Sequence, residues 1–405
     1  MSPARTFDVV LAGAGVIGLS LALELRQRGL SVAVLERGRA MQAASWAAGG
    51  MLAAMDPENP PALQPLSLHS IRLYPEYLTR IQQLSGHAVP LRTHRTLQQL
   101  HAASSASTPG SLSGNRAQLT EIQLAEIRQF IPGIHLPDAP GNQHEFREIK
   151  STSDFLEPAS VFLDPAFAFL KEDSLDPRDL CRALPLAAHA CGVTLIEETT
   201  VLGVSPLGDA LSIQTNHPGP IHTGMFVNCC GAWSSMLPAQ LPVTLPSNPF
   251  PVTPAKGQMV NLSLPAERLR CVLRVPGLYL IPRGDGRVAI GATVEYAGFD
   301  PQVHEESIQG LIDDAATLLP ELRHAPRLES WVGFRPATPD GLPILGATET
   351  PHCWLATGHF RNGIMLAPVT ARCMAQAMLG EPTDIALDIF SAARFATAES
   401  TLTSV

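Results

Sequence analysis

Gly13, Gly15 and Gly18 stand in the spacing G-x-G-x-x-G, and Glu36 follows 23 residues after Gly13. At a strand-to-helix turn, each glycine of this spacing has a separate task. The first permits the tight turn, the second lets the backbone approach a pyrophosphate, and the third lets helix and strand pack closely. Unpaired N–H groups at the start of the helix then face the phosphates. An acid ending the next strand can accept the ribose hydroxyls.

The flanking residues predict that setting. FDVVLA, residues 7–12, is a continuous apolar, β-branched run, as a buried parallel strand requires. Ile17, Leu21 and Leu25 recur at helical spacing, Gly29 ends the helix, and SVAVLE forms a second strand closing on Glu36. Strand, helix, second strand and terminal acid together predict a dinucleotide site, without separating NAD from FAD.

Composition narrows the class. The 405 residues exceed one ordinary domain, and 45% are apolar. With 28 Lys+Arg against 37 Asp+Glu, the net charge is −9, which offers no general attraction to nucleic acid or anionic lipid. No apolar stretch approaches the roughly 20 residues of a spanning helix, and no targeting segment is visible. The seven cysteines form no C-x-x-C pair and no Cys/His metal spacing, so free thiols, no metal and a reducing cytoplasmic setting are expected.

Further stretches carry more information. Residues 44–53, ASWAAGGMLA, are densely small, which lets a backbone lie close to something flat. NCCGAWSS, residues 228–235, reads as a strand running into a turn at a sheet's C-terminal edge, where α/β ligands bind. ATGHFRNGIMLAPVTARCMAQAML, residues 356–379, reads as a strand end, a glycine-rich turn and a helix. Its N-terminus is a second dipole site.

With FRPATPDGLP at 334–343, YLIP at 279–282 and IGATVE at 290–295, these stretches resemble the D-amino acid oxidase family of FAD-dependent amine oxidases. More narrowly they resemble its glycine oxidases linked to thiamine thiazole synthesis. The resemblance spans essentially the whole chain. It implies an α/β fold (α+β overall) of two discontinuous parts. A Rossmann-like FAD-binding domain would take 1–80, 172–235 and 328–395. A substrate domain on a mostly antiparallel sheet would take 81–171 and 236–327, leaving 396–405 as a tail. Residues 175–204 independently read as a helix and then a strand, with a start at Asp176-Pro177 and a stop at Gly192. The stretch YLIPRGDGRVAIGATV reads as a hairpin.

The resemblance also implies roles. FAD would be held by Gly13, Gly15, Val16, Ile17, Gly18, Glu36 and Arg37 in the opening unit. Ser45, Ala48, Gly49, Gly50 and Met51 would line it from the small-residue segment, with Val201, Gly231 and Trp233 from the middle of the chain. Gly333, His359, Arg361, Asn362, Gly363 and Ile364 would complete the site. Sarcosine oxidases of the family place a flavin-linking cysteine just before the TPD segment. Here that stretch has Gly333 and no cysteine, which implies non-covalent FAD.

For the substrate, Arg335 matches the family's carboxylate-binding arginine, and a guanidinium fork suits a carboxylate. Tyr279 is either a second donor to that carboxylate or a half-buried strand tyrosine. Arg361 either shapes the pocket and balances charge on reduced flavin, or pairs with a neighbouring carboxylate. Met51 and Val294 border either the substrate or the core. Gly277 stands where a related enzyme has histidine. His359 reads as structural or flavin-adjacent, not as a base.

The implied reaction moves a hydride from the α-carbon to flavin N5, giving an imine, with O2 reduced to H2O2. Glycine, sarcosine and small D-amino acids fit, the imine passing to glyoxylate and ammonia or to thiazole synthesis. Three alternatives stay open: a quinone-reducing dehydrogenase, a flavoprotein subunit needing a partner, and an NAD dehydrogenase. A homotetramer would match related oxidases. The low-complexity stretch 104–115 and the proline-rich stretches 57–65 and 242–254 receive no role.

Overall fold

In the computed structural model, two sheets meet across a cavity. The structure describes residues 5–99, 117–118, 129–132, 134, 145–146, 161–163, 167–237 and 251–398. The stretch 104–115, most of 242–254 and the end of the tail lie outside the described residues.

The first sheet is built on strand Arg5–Ala12, which pairs parallel with Val32–Leu35 on one side and Ile221–Asn228 on the other. Thr194–Ile196 extends it past Val32–Leu35, and Cys353–Thr357 pairs parallel with the end of Ile221–Asn228. Val9 to Leu11 are fully buried, as are Val32 to Leu35 to within 1%. Burial on both faces explains their continuous apolar runs. Helix Val16–Gln27 is buried on nearly every side, because helices Gln64–Ser85, Pro177–Ala190 and Gly363–Met378 surround it. Asp176 caps Pro177–Ala190 by accepting the Arg178 N–H at 3.0 Å.

The second sheet runs Arg327–Ala337, Thr253–Ser263, Arg287–Gly291, Leu278–Pro282, Val272–Val275, Thr96–Gln99, Phe167–Leu170, Val161–Leu163. Every pairing is antiparallel except that of Val272–Val275 with Thr96–Gln99. Its residues alternate between two environments. Val260, Leu262, Leu280, Val288 and Ile290 pack on helix Glu305–Leu318 through Ile308, Leu311 and Ile312. Met259, Tyr279, Ile281 and Ala289 face the other way, toward Met51.

Two of the expected division points, 80 and 328, lie within single elements. The division at 80 falls inside helix Gln64–Ser85, whose start uses the proline-rich stretch: Pro61 opens a 3-10 turn and Pro65 sits in the first helical turn. Strand Arg327–Ala337 is hydrogen-bonded along Thr253–Ser263, so the chain leaves the second sheet after Ala337 and not near 328. Among the described residues no helix is long and apolar enough to cross a membrane.

A β-carbon on Gly18 would lie 2.0 Å from the Gly13 carbonyl oxygen. Gly18→Ala should therefore lower stability by about 1–3 kcal/mol, the usual range for overpacking. A urea midpoint equal to that of the parent protein would contradict this contact.

Candidate functional site

A cavity of about 450 Å³ opens at the C-terminal ends of the first sheet's parallel strands, bounded by Ala12, Glu36, Cys230 and Thr357. It continues onto the open face of the second sheet through Gly257, Met259, Tyr279, Gly333 and Arg335.

Helices Val16–Gln27 and Gly363–Met378 both start on this cavity, at Gly15 and Asn362, and neither of these two residues caps its helix with its own side chain. Ser45 Oγ accepts the Val16 N–H at 3.0 Å. Gly13 has φ +104, and a β-carbon there would lie 2.5 Å from the Cys229 carbonyl oxygen. Gly15 has only Ser45 Oγ near, at 3.4 Å, and faces the cavity. Gly18 does not line the cavity; it allows the helix to approach the turn. Both Glu36 oxygens already accept backbone N–H groups, from Ala14 at 2.8 Å and Gly38 at 2.9 Å. A carboxylate has about four acceptor sites, so Glu36 keeps capacity for a ribose. Beyond it, Val201 and Gly231 line the wall, and the Arg37 guanidinium lies 4.8 Å from the Trp233 ring centre.

Ala48, Gly49, Gly50 and Met51 also line the cavity, but protein contacts set the small size of the two glycines. A β-carbon on Gly49 would meet Ile281 at 2.9 Å, and one on Gly50 the Leu175 carbonyl at 2.2 Å. Gly333 is small because Ala47 Cβ would stand 2.4 Å from its β-carbon. Arg283, 3% exposed, clamps the segment by donating to the carbonyls of Gly49 at 2.8 Å and Leu175 at 3.0 Å. Burial pushes its pKa down to about 10.

Directly opposed residues on neighbouring strands share a face. The register Arg274–Tyr279–Gly291–Met259–Trp331 therefore crosses five strands on the cavity side. Gly257 opposite Gly333, and Ala255 opposite Arg335, lie on the same side. The Arg335 side chain folds over Gly257, where a β-carbon would stand 2.3 Å from its guanidinium. Its Nη1 donates to the Thr293 carbonyl at 3.0 Å. Among the described residues Arg335 has no carboxylate partner. Tyr279 packs its ring on Gly291, with its hydroxyl 3.7 Å from Met259 Sδ. Met51, Tyr279 and Trp331 all pack against the cluster of Met259, Ile281 and Ala289, while Val294 is 54% exposed on the rim.

His359, Arg361, Asn362, Gly363 and Ile364 line the opposite wall. Arg361 pairs with Glu58, and its Nη2 stands 3.5 Å from Asp56. This geometry is the ion-pair alternative for that residue. His359 is 3% exposed, bonded through Nε2 to Thr370 Oγ1 at 3.1 Å. Burial pushes its pKa down to about 3, which keeps it neutral.

Sequence reasoning missed Asp56, Glu58, Glu172 and Arg274. Asp56, Glu58 and Arg274 line the cavity, and Glu172 binds Arg274 at 3.1 Å. Glu58 sits in the proline-rich stretch 57–65, which received no role, and Asp56 just before it; no local spacing links them to Arg274 or Arg361.

A family model described as FAD dependent oxidoreductase (DAO) matches residues 8–377. The chain belongs to the DAO family. The glycine cradle, the two helix starts on the cavity and Glu36 fit the FAD-dependent oxidoreductase description of that family. The chain is 34% identical over 403 residues to the bifunctional protein ThiO/ThiG of Trichormus variabilis, covering 98% of this chain and 56% of that relative. It thus spans little more than half of that longer protein. It is 32% identical over 379 residues to glycine oxidase of Pseudomonas aeruginosa, covering 92% and 94% of the two chains. Its structure superposes on that of glycine oxidase from Geobacillus kaustophilus with TM-score 0.77 at 27% identity, over 96% and 99% of the chains.

His359 gives this DAO-family chain a definite pH response. An unfolded histidine takes up a proton near pH 6.5, whereas the folded one resists until about pH 3. The unfolded state thus binds more protons in that window, and stability falls as pH drops through it. His359→Gln should flatten that part of the stability–pH curve, by up to ~1.4 kcal/mol per pH unit. Parallel curves from urea titrations would contradict a neutral buried His359.

Proposed function

We propose that this protein oxidises glycine and related small amines, such as sarcosine and small D-amino acids, with O2 as the electron acceptor. The observation that carries the reading is Arg335. It is a half-buried guanidinium, without a carboxylate partner among the described residues, on the same cavity face as Tyr279. A guanidinium held this way can take a substrate carboxylate bidentately, and the Tyr279 hydroxyl can add a further donor.

Bound FAD would supply the redox chemistry here, with the substrate α-C–H as the hydride source, O2 as the final electron acceptor, and an imine and H2O2 as the products. The chain's own residues orient and select. Gly13, Gly15, Val16 and Ile17 would hold the pyrophosphate of FAD, and Glu36, Arg37, Val201 and Trp233 its adenosine. The segment Ser45 to Met51 and the turn His359 to Ile364 would hold its ring system, with the first turn at Gly363 offering N–H groups for negative charge. Gly333, in place of a linking cysteine, supports non-covalent attachment. Met51 and Val294 bound the amine pocket. No residue is assigned as a base, because a substrate with a neutral amine loses its hydride without one. The likeness to ThiO/ThiG supports delivery of the imine to thiazole synthesis.

Peroxide release in air from glycine, sarcosine and D-alanine, with L-alanine as the control, tests the reading. Arg335→Ala should lower kcat/KM for glycine by at least about 100-fold, the order expected for losing a charge-assisted bidentate contact. Tyr279→Phe should lower it by about tenfold, one hydrogen bond. Full activity in Arg335→Ala would remove its assigned role.

A further inference from the structure

Helix Gly363–Met378 carries Pro368 in its interior. A proline has no backbone N–H, so the Ile364 carbonyl, four residues back, receives no bond from its own helix. Ile364 is 5% exposed, and a buried carbonyl without a donor is costly. Another helix supplies the donor: the Tyr74 hydroxyl, on Gln64–Ser85, donates to the Ile364 carbonyl. Tyr74 is 3% exposed, and burial pushes its pKa well above that of an ordinary phenol, so it remains a donor. One turn earlier, Ser70 Oγ donates to the next carbonyl, that of Met365, at 2.6 Å.

The neighbouring tyrosine does a different job. Tyr77 lies 2.7 Å from Ser20 Oγ, which donates to the Val16 carbonyl at 2.6 Å, in the first turn of the other helix that starts on the cavity. Ser20 keeps a backbone N–H for that carbonyl, so Tyr77 replaces nothing. Of the two tyrosines, Tyr74 alone stands in for a missing rung of a helix. The place of that rung matters. Gly363 and Ile364 line the cavity, and N–H groups of a first turn are free of intrahelical bonds. The ladder begins with the Leu366 N–H on the Asn362 carbonyl at 2.8 Å. Pro368 interrupts it directly behind that turn, so the direction of the turn depends on Tyr74.

We infer that Tyr74 is a positioning residue: its hydroxyl replaces the N–H that Pro368 lacks and fixes the first turn of helix Gly363–Met378, with its N–H groups, against the cavity. Those N–H groups favour negative charge on the reduced flavin. Tyr74 does not line the cavity, so it acts on the cofactor through the helix. This rests on the reading that sets the ring system of FAD at the turn His359 to Ile364.

The test is a double-mutant cycle of Tyr74→Phe and Pro368→Ala on the FAD-loaded protein, read as the reduction potential of the bound flavin against a reference dye. Tyr74→Phe should weaken binding of reduced relative to oxidised flavin by about fivefold, a two-electron potential lower by ~20 mV. Pro368→Ala gives the helix its own N–H, so adding Tyr74→Phe to it should change that ratio by less than about twofold. Tyr77→Phe, which orphans no carbonyl, should also stay within about twofold of the parent protein. An unmoved potential in Tyr74→Phe, an equal loss in both backgrounds, or an equal loss in Tyr77→Phe would each overturn the role. Urea midpoints of the apoprotein separate two ways to fail. No coupling between the positions means that Tyr74 does not stand in for the N–H. Coupling without a change in potential means that the ring system does not sit at this turn. Should Tyr74→Phe fail to fold, the double variant decides: a folded yellow protein supports the link, and a second failure overturns it. The fivefold loss with no amine oxidised would sink the oxidase reading and leave Tyr74 in its role.

Discussion

The structure depends on one backbone contact. Gly18 closes on the Gly13 carbonyl, and Gly13 closes on the Cys229 carbonyl, with no room for a β-carbon at either place. That contact draws helix Val16–Gln27 and strands Arg5–Ala12 and Ile221–Asn228 together at their shared end. The cavity opens there because parallel strands all end at the same edge, and helix starts with free N–H groups gather beside them.

The second sheet forms the rest of the site by leaving side chains out. Gly257, Gly291 and Gly333 lie on one face of three adjacent strands, and the Arg335, Tyr279 and Ala47 side chains occupy the space. On the other face, Lys256 is fully buried and pairs with Asp300 at 2.5 Å. Its neighbour Gln258 donates its backbone N–H to Thr293 Oγ1 at 2.9 Å and accepts the His304 N–H at 2.7 Å. These bonds tie residues 293–304 to the sheet and hold the Thr293 carbonyl where Arg335 donates. The orientation of the cavity-side guanidinium is thus fixed from behind the strand.

Buried and half-buried arginines join the two halves. Arg283 reaches from the second sheet to the carbonyls of Gly49 and Leu175. Arg178 binds Glu329 and lies 4.7 Å from the Trp46 ring and 4.9 Å from that of Trp331. Arg274 ties Gln98 to Glu172. Burial raises the Glu172 carboxyl above its ordinary range while Arg274 opposes the rise. A planar fork with several donors can satisfy carbonyls and carboxylates from different elements at once.

The sequence by itself determined the opening dinucleotide unit, the helix at Pro177–Ala190 and the hairpin around Asp285. Each rests on local information: a glycine that only one backbone shape explains, a cap and a stop at helical spacing, or a turn between two apolar runs. Arg335 and Tyr279 were singled out by the family resemblance and not by local pattern. Tertiary structure alone decided the partners. Local order could not show that Arg361 meets Asp56 and Glu58, because those residues are some 300 positions apart in the chain. It could not show that the small residues at 47–50 answer to Gly333, Ile281 and Leu175, nor that Arg274 stands beside Tyr279. Burial and charge pairing are properties of the packed whole, and only the fold brings those distant groups within reach of one another.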